Sequence, residues 1–203
     1  VYVNIMDDTC LFCRKCTSSA VSRRHDKVHH HSASVKTNIA YAMIRIANLS
    51  KNDTVLDCFT GSGTIPLELH DLSENGLPLD IYASDRYDDA IGEARENFLK
   101  NDAKIEAKQC DARDLDAVYS ETFDAIISNL PWGLKSGRRS DLYWMYRRFL
   151  ESAESVIAED GSIVVLVLKH GLFEEAMKKT SFTVDEKRVI STGTIRPRII
   201  KIS

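Results

Sequence analysis

Apolar runs alternate with amphipathic segments along most of the chain. The period of the apolar positions separates strands from helices. Short apolar runs predict strands at 53–59, 79–85, 104–111, 123–129 and 161–169. Apolar residues at helical spacing predict helices over 37–49, 61–72, 86–102, 140–160 and 171–180. A short strand is expected near the start, 17–36 is polar and loop-like, and 182–190 with 194–202 form a predicted antiparallel pair.

This order of elements predicts an α/β fold. Alternating strands and helices with strongly apolar strands are typical of a mostly parallel sheet that is covered by helices on both faces. The terminal pair adds an antiparallel strand, and Pro197 should lie at an edge, a bulge or a strand start because it cannot donate a ladder hydrogen bond. We divide the chain into an N-terminal strand and linker, 1–36, and a folded domain, 37–203.

Composition and charge exclude few classes of protein. The 203 residues are 43% hydrophobic and carry a net charge of −3, which suits one ordinary globular domain. Basic residues cluster locally at 22–27, 137–148 and 195–201, either as solvated faces or as patches that contact phosphate. No apolar run approaches the roughly 20 residues of a membrane span. We therefore expect no membrane and a reducing, cytoplasmic location, which the odd cysteine count also favours.

Three of the five cysteines form a C-x2-C-x2-C run, Cys10, Cys13 and Cys16. Such a run suggests zinc or iron–sulfur ligation, with a fourth ligand from His25, His29, His30 or His31. The spacing does not match two ligand pairs across a longer loop, so we predict reduced thiols and no metal. The same segment alternates too poorly to predict a strand.

Polar residues follow each predicted parallel strand, where ligands of such sheets bind. After the first comes DCFTGSGT, in which Gly61 and Gly63 allow a sharp turn and close approach to a ligand. Pro66 breaks the G-x-G-x-x-G pattern and no P-loop lysine follows, so neither a dinucleotide nor an ATP phosphate is indicated. Alone, the loop is either a cofactor loop or a tight turn.

The next two strand ends carry carboxylates. Asp85 is placed to accept both hydroxyls of a ribose, or else to cap the following helix. Asp111 could accept from an adenine amino group, or form a turn. Taken in order beside a glycine loop, these ends indicate an adenosine-containing cofactor without a required pyrophosphate, which is the pattern of S-adenosylmethionine.

The fourth strand ends in NLPWG, Asn129 to Gly133. It resembles the Asn-Pro-Pro-Tyr tetrapeptide of methyltransferases that modify an exocyclic amino group of a base. The Asn129 side-chain oxygen and the Leu130 carbonyl can each accept one N–H of an aryl amine, which frees its lone pair. Pro131 stiffens the backbone, and Trp132 offers a flat face to an extruded base. The alternative is a structural Pro-Gly turn with a partly buried tryptophan.

These segments together resemble the catalytic domain of the THUMP-linked tRNA guanine-N2 methyltransferases. The family's cofactor loop and its third-strand motif are similar to DCFTGSGTIPLE and DARDL here. Its Asn-Leu-Pro-aromatic tetrapeptide, with the Gly that follows, is similar to NLPWG. An upstream family motif is similar to HSASVKTNIAYAMI, although Ser34 and Thr37 replace its two prolines. The resemblance extends from about residue 17 to the end.

The resemblance implies a Rossmann-like class I methyltransferase with a mostly parallel seven-stranded sheet. It implies transfer of a methyl group from S-adenosylmethionine to guanine N2 in tRNA, with S-adenosylhomocysteine as product. It also implies that 1–36 is the remnant of a connection to an absent RNA-binding THUMP-like domain; a small activator subunit stays unknown. The predicted catalytic residues are Asn129, Leu130, Pro131 and Trp132. The predicted cofactor residues are Lys36, Thr37, Asp57, Thr60, Gly61, Ser62, Gly63, Thr64, Asp85, Arg86, Asp111, Ala112 and Asn129.

Other functions remain open at the level of sequence. The acceptor could be adenine N6 or cytosine N4, or guanine N2 of another RNA. A non-catalytic, methyltransferase-like RNA-binding module is a second possibility, against which the intact glycine loop and tetrapeptide argue. A zinc-dependent RNA-binding protein built on the three cysteines is a third.

Overall fold

The computed structural model describes residues 2–14, 24–30, 34–133, 139–191 and 195–203. The strands are β1 (Tyr2–Met6), β2 (Thr9–Cys13), β3 (Thr54–Asp57), β4 (Asp80–Asp85), β5 (Glu106–Gln109), β6 (Phe123–Asn129), β7 (Ile157–Val167), β8 (Val184–Val189) and β9 (Arg198–Ile202). The helices are α1 (Thr37–Ala47), α2 (Thr64–Glu74), α3 (Asp88–Lys100), α4 (Arg139–Val156) and α5 (His170–Met177). No described helix combines the length and apolarity that a membrane crossing requires.

The main sheet has seven strands in the order β5-β4-β3-β6-β7-β9-β8. Pairing is parallel from β5 to β7, and β9 runs antiparallel to both of its neighbours. The predicted fold class, a mostly parallel sheet with an antiparallel C-terminal strand, is confirmed. From β3 the chain adds β4 and β5 on one side of the sheet, and it then places β6 on the other side of β3. This change of direction opens a crevice beyond the carboxyl ends of β3 and β6.

Helices cover both faces because side chains alternate along each strand. In β7, Val165 belongs to the core cluster that contains Phe149 of α4 and Phe173 of α5. Its neighbour Val164 belongs to the opposite cluster, with Met43 of α1. Burial on both faces explains why β7 reads as a continuous apolar run.

Two expectations were wrong. The fourth helix ends at Val156, not at residue 160, because Ile157 pairs with Phe123 and extends β7 backwards across a register shift. Thr9–Cys13 is a strand, although the sequence predicted none there. Its five side chains are all exposed, so pairing with β1 leaves no inside–outside alternation to detect.

The expected place of Pro197 agrees with the structure. It directly precedes β9, so it removes no donor from the ladder, and its carbonyl accepts from Ile190 N at 2.9 Å. In the predicted linker, the described residues 24–30 and 34–36 are outside helices and strands, while 17–23 and 31–33 lie outside the described residues.

Candidate active site

A cavity of about 1380 Å³ lies at the carboxyl edge of the main sheet. Four predicted strand-end residues line it together, namely Asp57 after β3, Asp85 after β4, Asp111 beyond β5, and Asn129 at the end of β6. The carboxyl ends of parallel strands meet at one edge, which is why residues up to 72 positions apart in number share one wall.

The three aspartates are oriented by the same local device. Each accepts a hydrogen bond from the backbone N–H two residues on, at 3.3 Å for Asp57, 3.2 Å for Asp85 and 3.1 Å for Asp111. Such Asx turns hold a carboxylate over the start of the following segment. The turn expected as the alternative for Asp111 is therefore present in the structure. The helix cap expected as the alternative for Asp85 is not, because the N-cap of α3 is Tyr87 and no side chain caps that helix. Both aspartates line the cavity.

The glycine loop is tied to the end of β4. Gly61 N donates to Asp85 Oδ2 at 3.0 Å. Gly63 is the N-cap of α2 and has a φ of 78°, which an L side chain adopts at a cost. A Cβ at Gly63 would also overlap the Phe98 ring, with Cζ only 2.8 Å away. The second glycine is therefore required by conformation and by contact with α3.

Asp57 is a buried carboxyl group, 1% exposed. Burial raises its pKa to about 7, although hydrogen bonds oppose the rise. Ser128 is the main opposing donor, with its hydroxyl 2.7 Å from Asp57 Oδ1, and the same hydroxyl accepts from Cys58 N at 3.0 Å. A carboxyl group with this pKa ionises readily when a cation approaches.

Asp111 has the opposite electrostatics. Arg113 donates to its two oxygens at 2.9 and 2.6 Å, and this pairing lowers the pKa of Asp111. The charge on Asp111 is therefore compensated by a bidentate partner before any ligand arrives.

Sequence reasoning missed Lys27. Its ammonium donates to Thr64 Oγ1 at 2.6 Å and to Ser62 Oγ at 3.4 Å, at the N-terminus of α2. Burial lowers its pKa to about 8, and the carboxyl group of Asp57 opposes this change. A half-buried cation at the positive end of a helix is electrostatically unfavourable unless an anion joins it.

Buried Asn97 of α3 places Lys27 there. Its Oδ1 accepts from Val28 N at 2.8 Å and His29 N at 3.0 Å, while its Nδ2 donates to the carbonyls of His29 and Ser62, both at 3.0 Å. We call residues 24–30 the strap. One fully buried amide thus joins the strap to the glycine loop.

The strap is also held to α2 by ion pairs. His25, Glu68 and Asp71 place possible metal ligands within 4.8 Å of one another. The Arg24 guanidinium already pairs with buried Glu68, and His25 Nε2 lies 2.5 Å from Glu68 Oε1. A protein cation therefore compensates this carboxylate, and the cluster has the character of a structural ion-pair network.

The tetrapeptide lines the cavity and is hydrogen-bonded to both β7 and α4. Leu130 N donates to Leu166 O at 3.0 Å. Pro131 O accepts from the Tyr146 hydroxyl at 2.7 Å. Trp132 is half-buried and packs against the core cluster that contains Met43, while it also lines the cavity. The partly buried tryptophan expected as the alternative is therefore present, and its side chain also lines the cavity.

The cavity includes most, but not all, of the predicted set. The predicted residues that line it are Asp57, Thr60, Gly61, Thr64, Asp85, Arg86, Asp111, Asn129, Leu130, Pro131 and Trp132. The described lining does not include Lys36, Thr37, Ser62, Gly63 and Ala112. The Ser62 hydroxyl is hydrogen-bonded to that of Ser34 at 2.9 Å, and Ser34 does line the cavity.

Residues 168–172 also line the cavity and were not predicted. They follow β7, so the rule that directed attention to the other strand ends would have found them. Cys10 and Cys13 are exposed on β2. Cys16 and His31, which the metal hypothesis would need or could use, lie outside the described residues.

Comparison with known proteins gives a family match. Residues 24–197 match the family described as RMKL-like, methyltransferase domain (UPF0020). The match begins at the strap and includes every residue that lines the cavity.

Individual relatives are similar over most of this chain. A tRNA (guanine(6)-N2)-methyltransferase of Thermus thermophilus is 32% identical over 200 residues, 98% of this chain and 58% of that protein. The Bos taurus U6 snRNA (guanine-N(2))-methyltransferase THUMPD2 is 32% identical over 141 residues, 67% of this chain and 26% of that protein. The crystal structure of TrmN from Thermus thermophilus superposes with a TM-score of 0.73 at 32% identity, covering 83% of this chain and 48% of the other. The chain thus spans little more than half of the first relative.

Proposed function

Because the chain belongs to the RMKL-like methyltransferase domain family (UPF0020), we propose that it transfers a methyl group from S-adenosylmethionine to guanine N2 in tRNA. The membership confirms the resemblance to methyltransferases that the sequence carries. One observation supports the assignment of the site above all others, namely that Asp57, Asp85, Asp111 and Asn129 line one cavity. The guanine acceptor is supported by the names of similar proteins from a bacterium and a mammal.

The residues present fit the cofactor at its amino acid end. That end is a zwitterion, so its site needs an anion and a cation close together. Asp57 lines the cavity, and Lys27, outside the cavity lining, contacts Ser62 and Thr64 of the glycine loop and α2. Burial shifts the pKa of each group toward its neutral form. The amino group of the ligand would restore the ionised carboxylate, and its carboxylate would restore the ammonium.

The adenosine end would extend along the edge of the sheet toward β5. Asp85 would accept the ribose hydroxyls through the lone pairs that its bonds to Gly61 N and Tyr87 N leave available. Asp111, compensated by Arg113, would accept the adenine amino group. We propose that the folded domain begins at the strap rather than at residue 37, since Lys27 belongs to this arrangement.

In the acceptor half the chain positions and polarises an amine. When bound, S-adenosylmethionine supplies a methyl group on a sulfonium, an electrophile that needs no activation by the protein. The Asn129 side-chain oxygen and the Leu130 carbonyl would each accept one N–H of the guanine amino group. These two acceptors would direct the nitrogen lone pair at the donated methyl group, and the surplus proton of the product amine would leave to solvent. Positioning and fixed dipoles account for such catalysis.

The test is methyl transfer from tritiated S-adenosylmethionine to tRNA, U6 snRNA and DNA, followed by nucleoside analysis. We expect label in N2-methylguanosine from tRNA. We assign Asn129 to the acceptor half alone, although the sequence also placed it among the cofactor residues. Asn129→Ala should therefore lower kcat by roughly 10²–10³-fold, by analogy with loss of one preorganised polar group, and leave S-adenosylhomocysteine affinity within about twofold. Label in N6-methyladenosine would show that the acceptor is adenine N6, and label in U6 snRNA alone would show that the substrate is not tRNA. Loss of cofactor binding in Asn129→Ala would place Asn129 in the wrong half of the site.

A further inference from the structure

The tetrapeptide is held by the protein at two points, one on either side of the Leu130 carbonyl. On the amino side, Leu130 N donates to Leu166 O of β7 at 3.0 Å. On the carboxyl side, Pro131 O accepts from the Tyr146 hydroxyl of α4 at 2.7 Å. Within the described part of the chain, no donor contacts the Leu130 carbonyl oxygen. The protein thus binds the polar backbone groups on both sides of the Leu130 carbonyl and leaves that carbonyl oxygen available to a ligand.

Tyr146 is itself firmly placed. Its side chain is fully buried on α4, and its ring packs edge-to-face on Phe173 of α5, with centroids 5.8 Å apart and an interplanar angle of 79°. Burial raises the pKa of Tyr146, so the hydroxyl keeps its proton and acts as a donor throughout the physiological range. A phenol held this way defines one position for the oxygen that it contacts.

The contact removes the last backbone freedom of Pro131. The pyrrolidine ring fixes φ near −65°, which leaves ψ to decide where the next residues go. Holding the Pro131 carbonyl fixes that ψ. A second contact with α4 follows at Gly133, where the backbone comes so near that a Cβ would lie 2.9 Å from Leu142 Cδ2. Helix α4 therefore sets the course of the tetrapeptide.

We propose that Tyr146 is a positioning residue for the acceptor base. By fixing the peptide after Pro131 it aims the Leu130 carbonyl and sets the plane of Trp132, without touching the base itself. This rests on the proposed function, since it assumes that the two groups receive a guanine. It predicts a specific role for the hydroxyl of a residue that lies 15 positions after Pro131.

Tyr146→Phe removes that hydroxyl and preserves the ring. The matched control is Tyr119→Phe, which deletes the hydroxyl of another tyrosine buried in the same core cluster and outside the cavity lining. We expect Tyr146→Phe to lower kcat roughly 10–100-fold, as small misplacements of reacting groups do. S-adenosylhomocysteine affinity should stay within about twofold. Tyr119→Phe should leave kcat within about twofold even if it lowers the melting temperature as much as Tyr146→Phe does.

A second readout does not depend on turnover. The chain has two tryptophans, and Trp144 is 61% exposed. In a Trp144→Phe background the emission comes from Trp132 alone, so Tyr146→Phe should shift it to longer wavelength and increase acrylamide quenching, whereas Tyr119→Phe should change neither.

The outcomes separate the two proposals. Unchanged kcat and unchanged Trp132 emission in Tyr146→Phe, with an active parent protein, would overturn the positioning role and leave the proposed function standing. A parent protein that binds S-adenosylhomocysteine but methylates no guanosine would overturn the proposed function. In that case a Trp132 shift in Tyr146→Phe would still support control of the tetrapeptide, and its absence would refute it.

Discussion

Replacing Gly63 by alanine tests the account of the glycine loop directly. Two effects act on the new side chain. A φ of 78° places it in the left-handed region, which costs an L-residue roughly 1–2 kcal/mol. The new Cβ would also overlap the Phe98 ring, and overpacking of a core typically costs about 1–3 kcal/mol. The free energy of unfolding should therefore fall by about 2–5 kcal/mol.

Gly61→Ala is the matched control. Its φ of 49° is also positive, but nothing lies within 4 Å of the added Cβ. Only the backbone cost of roughly 1–2 kcal/mol should appear there. For a chain of this size each kcal/mol shifts the melting temperature by roughly 2–4 °C. The two variants should therefore differ by about 2–12 °C in melting temperature, with Gly63→Ala the less stable.

Calorimetric or circular-dichroism melting of both variants gives the comparison. Adding Phe98→Leu to Gly63→Ala should recover part of the loss, because a smaller side chain frees the space that the Cβ needs. Equal melting temperatures for the two alanine variants would refute the packing argument. They would show that Phe98 moves aside at no cost and that Gly63 is required by its conformation alone.

Two further predictions concern the charges beside this loop. Lys27→Met should weaken S-adenosylhomocysteine binding by roughly 10–100-fold in calorimetry, the size of a lost charged hydrogen bond, and leave methylthioadenosine, which lacks the amino acid end, unaffected. Lys100→Met, which removes a surface partner of the strap residue Asp26, serves as control, and equal losses for both ligands would contradict the zwitterion assignment. Since burial raises the pKa of Asp57 from 3.8 to about 7, the folded state keeps a proton that the unfolded chain has lost, so stability should fall as pH rises through that window. Asp57→Asn should flatten this part of the urea-unfolding profile, and an unchanged slope would mean that Asp57 is ionised in the folded protein.

The order of helices and strands was predictable because burial on two faces leaves a periodic record. The errors arose where that record is absent. β2 exposes all of its side chains, so no alternation marks it. The start of β7 carries Glu159 and Asp160, whose exposed side chains continue the pattern of the preceding helix, and its pairing with Phe123 is a long-range contact.

The strand-end residues were found for a related reason. In a parallel sheet the chain reverses direction at the carboxyl edge, so residues that follow each strand share one place whatever the loops do. The sequence alone therefore determined the fold class, the glycine loop, the three aspartates and the tetrapeptide at Asn129.

Only the tertiary structure decided which other side chains support them. Lys27 meets Thr64 across 37 residues, and Asn97 reaches the strap across 68 or 69. Tyr146 looks like any core aromatic of an amphipathic helix until its hydroxyl is seen against Pro131. Such contacts depend on how strap, helices and sheet pack in three dimensions, and a single hydrogen bond between distant segments has no period by which a sequence could reveal it.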